Sequence, residues 1–134
     1  MRFLVTKQYP DPVDNTEHLV RYLVDSGKYV PSTGRVKHNA FMPAFDNVLS
    51  VFRVDRLTNS EIMKLGEDYV DSPPARVSKA VAIVQALVFM QNNLVLEPTP
   101  DPHPRHVDVK GWSDSESNRH KAQLIAAKSS LVLK

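Results

Sequence analysis

Proline decides where this chain can run regular structure. Eight of its ten prolines stand in three places: Pro10 and Pro12, Pro73 and Pro74, and Pro98, Pro100, Pro102 and Pro104. Each fixes its own φ and lacks an N–H donor, so these places read as rigid connectors between short elements. Pro31, Gly34 and Pro43 break the stretch between Tyr29 and Asp46 in the same way. With 134 residues, 42% of them hydrophobic and 24% charged, the segments between can bury a core, and one domain spanning 1–134 is expected.

Taken in order, Arg2 to Lys7 sets Phe3 and Val5 against Leu4 and Thr6 and predicts a short strand. Asp14 or Asn15 can cap a helix, with Glu17 at the capping-box position, Leu19, Val20, Leu23 and Val24 at helical spacing, and Gly27 closing it. Val48 to Val54 reads as a strand with Leu49, Val51 and Arg53 on one face; Arg53 must then find an acceptor. Thr58 and Glu61 form a capping box with Leu57 and Ile62 at the staple positions, which predicts a helix to about Val70. Ile62, Leu65 and Tyr69 are its expected buried stripe, and Gly66 marks close packing against another backbone. Between Ala75 and Leu96 the apolar residues fit more than one period. The favoured reading is a strand near Arg76 to Lys79, a helix over Val81 to Gln91, a turn at Asn92-Asn93 and a strand over Asn93 to Glu97. Ser113 and Glu116 form a second capping box, starting a helix through Arg119, Leu124 and Ala127 toward Leu131. The fold class is α+β, a small mixed or antiparallel sheet with three to four helices packed mainly on one side.

Composition narrows the chemistry. No apolar run approaches the roughly 18 to 20 residues that span a bilayer, and Met1 to Lys7 turns polar too soon for a secretion signal, so a soluble, cytoplasmic protein without membrane contact is expected. The absence of cysteine removes disulfides, thiolate catalysis and sulfur-ligated zinc. A metal would need His and carboxylates such as His106, Asp108, His38 and His103, but no His-Glu-x-x-His spacing occurs, and neither metal nor cofactor is assigned. Glycines 27, 34, 66 and 111 form no phosphate-binding fingerprint. A net charge of +2 gives weak global steering toward polyanions and leaves a local basic patch open.

The densest local pattern is Pro102 to Trp112. His106, Asp108 and Lys110 fall on one face of an alternating run, and Val107 and Val109 on the other. Ser50 with His106 and Asp108 contains the residue types of a triad, but no nucleophile elbow surrounds Ser50, and neighbours on one strand face do not make a triad's line. Arg35-Val36-Lys37-His38 is either a binding loop or a solvated one whose Phe41 and Met42 plug the core. Trp112, just before the cap, is expected to pack on the last helix.

Several spaced motifs recur together. Arg35-Val36-Lys37 followed by Ala40-Phe41-Met42-Pro43, Leu49-Ser50-Val51-Phe52-Arg53, Glu61-Ile62 with Gly66, Ala75-Arg76, and Arg105-His106-Val107-Asp108-Val109 with Gly111-Trp112 resemble a family of small bacterial proteins of unassigned function. The resemblance runs from about Arg35 to the C-terminal helix; it implies a shared fold and transfers no activity. Such chains usually carry Ala after the motif histidine. Val107 stands there in this one, a change expected on a buried strand face.

The functional expectation is a non-enzymatic binding or accessory module. Arg35, Lys37, His38, Arg53, Arg76, Arg105, His106 and Lys110 would bind an anionic ligand or partner: a nucleotide, a nucleic-acid backbone or an acidic protein segment. The structural alternative is that Arg53 and Arg76 pair with acidic residues such as Asp108 or Glu61. The alternative function is a small phosphodiesterase or nuclease-like enzyme using His106 and Asp108, with or without a metal, so whether the chain is an enzyme stays open.

Overall fold

The computed structural model describes residues 11–134, and the strand expected over Arg2 to Lys7 lies outside them. The first element among the described residues is β1 (His18–Leu23), where a helix was expected. Leu19 and Leu23 are buried on one side and Val20 and Tyr22 on the other, a two-sided burial that a strand inside a sheet provides and a single helical stripe does not. Glu17 does reach back to the Asp14 N–H at 2.7 Å, as a capping box would. Both of its oxygens, however, also accept from Arg53, at 2.8 and 2.7 Å, and the chain continues as a strand.

A small ribbon follows, β2 (Tyr29–Val30) with β3 (Arg35–Val36), and then a 3₁₀ turn, His38–Phe41, that buries Ala40 and Phe41. β4 (Leu49–Arg53) and α1 (Asn59–Tyr69) agree with expectation. The Thr58 hydroxyl accepts from the Glu61 N–H at 3.1 Å while the Glu61 carboxylate accepts from the Thr58 N–H at 2.9 Å. Ile62, Leu65 and Gly66 form the buried stripe, and Tyr69 is 45% exposed. Gly66 faces an aromatic ring rather than a backbone: a Cβ there would stand 2.5 Å from Tyr22 Cε1.

The ambiguous stretch resolves as β5 (Ala80–Gln85) running directly into α2 (Ala86–Gln91). The expected strand near Arg76 to Lys79 is only an isolated bridge between Ser72 and Arg76. β6 (Val95–Pro98), β7 (His106–Lys110), α3 (Ser115–Ala127) and β8 (Ser130–Leu133) complete the chain. The cap of α3 is Asp114, which accepts from the Ser117 N–H at 2.8 Å, and not Ser113. The helix stops short of Leu131, which belongs to β8.

Among the described residues six strands form one sheet in the order β6-β7-β4-β1-β5-β8, every pair antiparallel, and with three α-helices the fold is α+β. The sheet is covered on both faces. Leu19, Val51, Val107 and Val109 meet Phe41, Phe89 of α2, Trp112 and the Ala122 and Ile125 of α3 in one core. Val20, Tyr22, Phe52 and Val81 meet Ile62 and Leu65 of α1 in another. Val107 and Val109 are fully buried and His106, Asp108 and Lys110 half-buried on the α1 side, as the pleat requires. Among the described residues no helix is long and apolar enough to cross a membrane.

Two stability measurements check this packing. Gly66→Ala should lower the chemical denaturation midpoint by about 1–3 kcal/mol equivalent, because the overpacked Tyr22 ring outweighs the gain in helix propensity. Glu17→Ala should cost about 3–5 kcal/mol, since it strands the Arg53 guanidinium in the interior; a protein as stable as the parent would remove that pair from the account of the fold.

Candidate functional site

The site originates in a defect of the sheet. β1 pairs with β5 along all of His18 to Leu23, but with β4 only at Leu19↔Arg53 and Val20↔Phe52. Past Val20 the two strands separate, and the Arg21 side chain spans the opening. Its Nη1 donates to the Ser50 carbonyl at 3.1 Å and its Nε to the Ala40 carbonyl at 3.1 Å. A cavity of about 140 Å³ lies beside it. Tyr22, Phe52 and Tyr69 form aromatic walls, and Arg21, Ser50, Arg76 and His106 bring polar groups to it.

Each polar group is positioned by its own local structure. Arg76 sits at the end of the Pro73-Pro74 loop, closed by backbone bonds between Ser72 and Arg76 of 2.7 and 3.0 Å. Asp71, just before that loop, accepts from the Ser78 N–H at 2.8 Å and from the Ser78 hydroxyl. The Arg76 guanidinium itself makes no hydrogen bond or ion pair with any described residue. His106 is held by Thr99, whose Oγ1 lies 2.6 Å from Nδ1, and by the Phe52 ring, edge-on at 5.1 Å. Phe52 in turn meets Tyr22 edge-on at 5.6 Å, and the Tyr22 hydroxyl donates to the Ile62 carbonyl at 2.6 Å.

The electrostatics favour an anion. Burial, and then the charge of Arg76, bring the Arg21 pKa down to about 10. Because this folded-state value lies below the ordinary one, the cost of keeping Arg21 charged is fully present at neutral pH and is relieved only as pH rises through about 10. Burial first, and then the charge of Asp71, raise the Tyr22 pKa, partly offset by Arg105, so the phenol stays neutral.

The basic residues singled out in the sequence divide among several places. Arg76 and His106 reach the cavity. Arg53 is fully buried, its fork on Glu17 and its remaining donors on the Asp11 and Pro12 carbonyls at 2.6 and 3.2 Å; its acceptor is thus neither Asp108 nor Glu61. Arg105 donates to the Arg53 and Asp55 carbonyls at 3.2 and 3.3 Å. Lys110 pairs with Glu97 at 2.5 Å, which raises its pKa. Arg35 and His38 line a separate groove of about 540 Å³ beside the Gln123 and Ala126 of α3, and Lys37 adjoins it in the chain. His103 meets the Tyr69 ring edge-on at 4.7 Å, and burial followed by the charge of Arg105 lowers its pKa. Trp112 is buried in the α3 core as expected, its indole donating to the Val109 carbonyl at 3.0 Å. Asp108 stands opposite Ser50 in the ladder and 3.9 Å from His106 Nδ1, beyond hydrogen-bond reach. Among the described residues no group of three or more His, Asp or Glu is placed to hold a metal ion.

Arg21, Tyr22 and Tyr69 were missed. The available signal was Arg21 itself: read as a strand, Leu19-Val20-Arg21-Tyr22-Leu23 puts one charge on an otherwise apolar alternation, which marks a paired or functional group. No family model, curated protein or solved structure matches this chain at a significant level.

Arg76→Ala removes a like charge from beside Arg21. The thermal midpoint of the ligand-free protein should therefore stay unchanged or rise; a loss of more than about 1 kcal/mol would assign Arg76 a structural role instead.

Proposed function

We propose that this chain is a non-enzymatic binding module whose anionic ligand enters the cavity at Arg21, Arg76 and His106. The observation that carries the reading is the pairing of two guanidinium groups at one cavity, one of them desolvated and the other without an anionic partner among the described residues. The half-buried Arg21 charge, with an exposed second cation beside it, is relieved by a bound anion, and guanidinium forks suit phosphate and carboxylate oxygens. Arg76 and His106 both fall in segments that resemble the small bacterial family, so the same cavity is proposed for that fold.

A second reading, a small phosphodiesterase or nuclease-like enzyme, draws support from the Thr99 contact. It holds His106 Nδ1 and leaves the other ring nitrogen without a described partner, as a general acid or base requires. The orienting group in that reading is Thr99 and not Asp108.

Calorimetric titration with a nucleoside monophosphate, a short single-stranded oligonucleotide and an acidic peptide tests the proposal. At least one should bind to the parent, more weakly as salt rises, and Arg76→Glu should abolish that binding while Arg35→Glu with Lys37→Glu leaves it intact. The reverse pattern would move the ligand to the groove beside α3. Hydrolysis of an activated phosphodiester by the parent but not by His106→Ala would replace the binding module with the enzyme.

A further inference from the structure

Resting on the anion-site reading, we infer that the group received by the cavity is a terminal phosphate, the dianionic end of a phosphate monoester, and not an internal phosphodiester or a carboxylate. Three properties of the site lead there.

The first is size. A cavity of about 140 Å³ is close to the roughly 150 Å³ that admits one small ring. A phosphoryl group fits within it, with its oxygens in reach of the lining side chains. Tyr69 is shared with the neighbouring groove along α1, which leaves room beside the cavity for the organic part of the ligand.

The second is the donor inventory. Arg21 spends Nε and one hydrogen of Nη1 on the Ala40 and Ser50 carbonyls, and its Nη2 has no described acceptor. The Arg76 guanidinium, the Ser50 hydroxyl and the second nitrogen of His106 are equally uncommitted, and all four residues line the cavity. A terminal phosphate offers three acceptor oxygens to such a set. A carboxylate or an internal diester offers two, and the diester must also find room for a second substituent.

The third is charge. Two guanidinium groups face the cavity. Asp71, bound to Ser78, and Asp108, across the ladder from Ser50, keep their charges nearby, but neither forms an ion pair with Arg21 or Arg76. A monoester brings about −1.5 to −2 at neutral pH, which matches the two cations, while a diester or carboxylate brings about −1.

Competition among small anions tests this on the full chain by calorimetry at low ionic strength and slightly alkaline pH. The probes are phenyl phosphate, inorganic phosphate, dimethyl phosphate and acetate. Phenyl phosphate and inorganic phosphate should bind, dimethyl phosphate and acetate about tenfold or more weakly. Arg76→Ala and Ser50→Ala, neither of which carries a hydrogen bond of the fold through its side chain, should each weaken phenyl phosphate, Arg76→Ala by about tenfold or more. Equal affinity for dimethyl phosphate or acetate would overturn the terminal-phosphate inference and leave the anion site standing. Binding of phenyl phosphate undiminished by Arg76→Ala would overturn the placement in this cavity. Binding of none of the four anions would overturn the inference, and with no binding of oligonucleotide or acidic peptide either, the anion-site reading falls too.

Discussion

A buried guanidinium organises one end of this sheet. Arg53 is sealed from water, and an interior charge without partners is far too costly to keep. It is satisfied by drawing three parts of the chain together. Glu17, at the entry to β1, takes the fork; the Asp11 and Pro12 carbonyls take the remaining donors; and the Arg53 backbone exchanges bonds with Arg105, at the entry to β7. An apolar side chain of similar volume could give comparable stability, but it would not select the Glu17 carboxylate or the carbonyls of that segment. What the pair contributes is one alignment of β1 with β4, to which the bonds between the Arg53 backbone and Arg105 join β7. That alignment puts His106 opposite Phe52 and Ser50 opposite Asp108.

The candidate site then follows from geometry that the sheet cannot complete. β1 holds its full register with β5 and so leaves β4 after two pairs. The Ser50 carbonyl would lose its ladder partner at that point. Arg21 supplies the missing donor. The price of that repair is a charged group in a desolvated place, made worse by Arg76. The same strain that makes the empty cavity unfavourable makes an anion welcome there. Tyr22, Phe52 and His106, edge to face in sequence, connect the cavity to α1 through the Tyr22 hydroxyl and the tight Gly66 contact.

Features decided by near neighbours in sequence were legible. The capping box at Thr58 needs only Glu61, and the alternation of His106 to Lys110 needs only the pleat, so both appear as read. The segment His18 to Leu23 was read as a helix because Leu19, Val20, Leu23 and Val24 fit a helical period as well as they fit a strand buried on both faces. Nothing local separates the two. The ambiguity at Val81 to Gln91 has the same origin, and there the answer divides: β1 claims the first half as a partner strand, and the second half, beyond its reach, coils into α2. At the terminal helix, Ser113 and Asp114 both offer a cap, and the Asn118 carbonyl oxygen, accepting from the Ser113 N–H at 2.8 Å, leaves Asp114 at the cap.

The candidate site divides along the same line. By itself the sequence determined that basic side chains stand on strands and turns, that His106 and Val107 face opposite ways, that Arg53 requires an acceptor, and that no thiol chemistry is available. Which of those charges are spent on the fold and which remain for a ligand was decided only by the tertiary structure. Arg53 and Arg105 are consumed in joining strand ends, Lys110 in a surface pair with Glu97, and Arg76 with His106 is left beside an Arg21 that no pattern had placed there. The physical reason is that a guanidinium reaches several ångströms from its own backbone. Its partners are therefore chosen by long-range register, here the early parting of β1 from β4, and not by its neighbours along the chain.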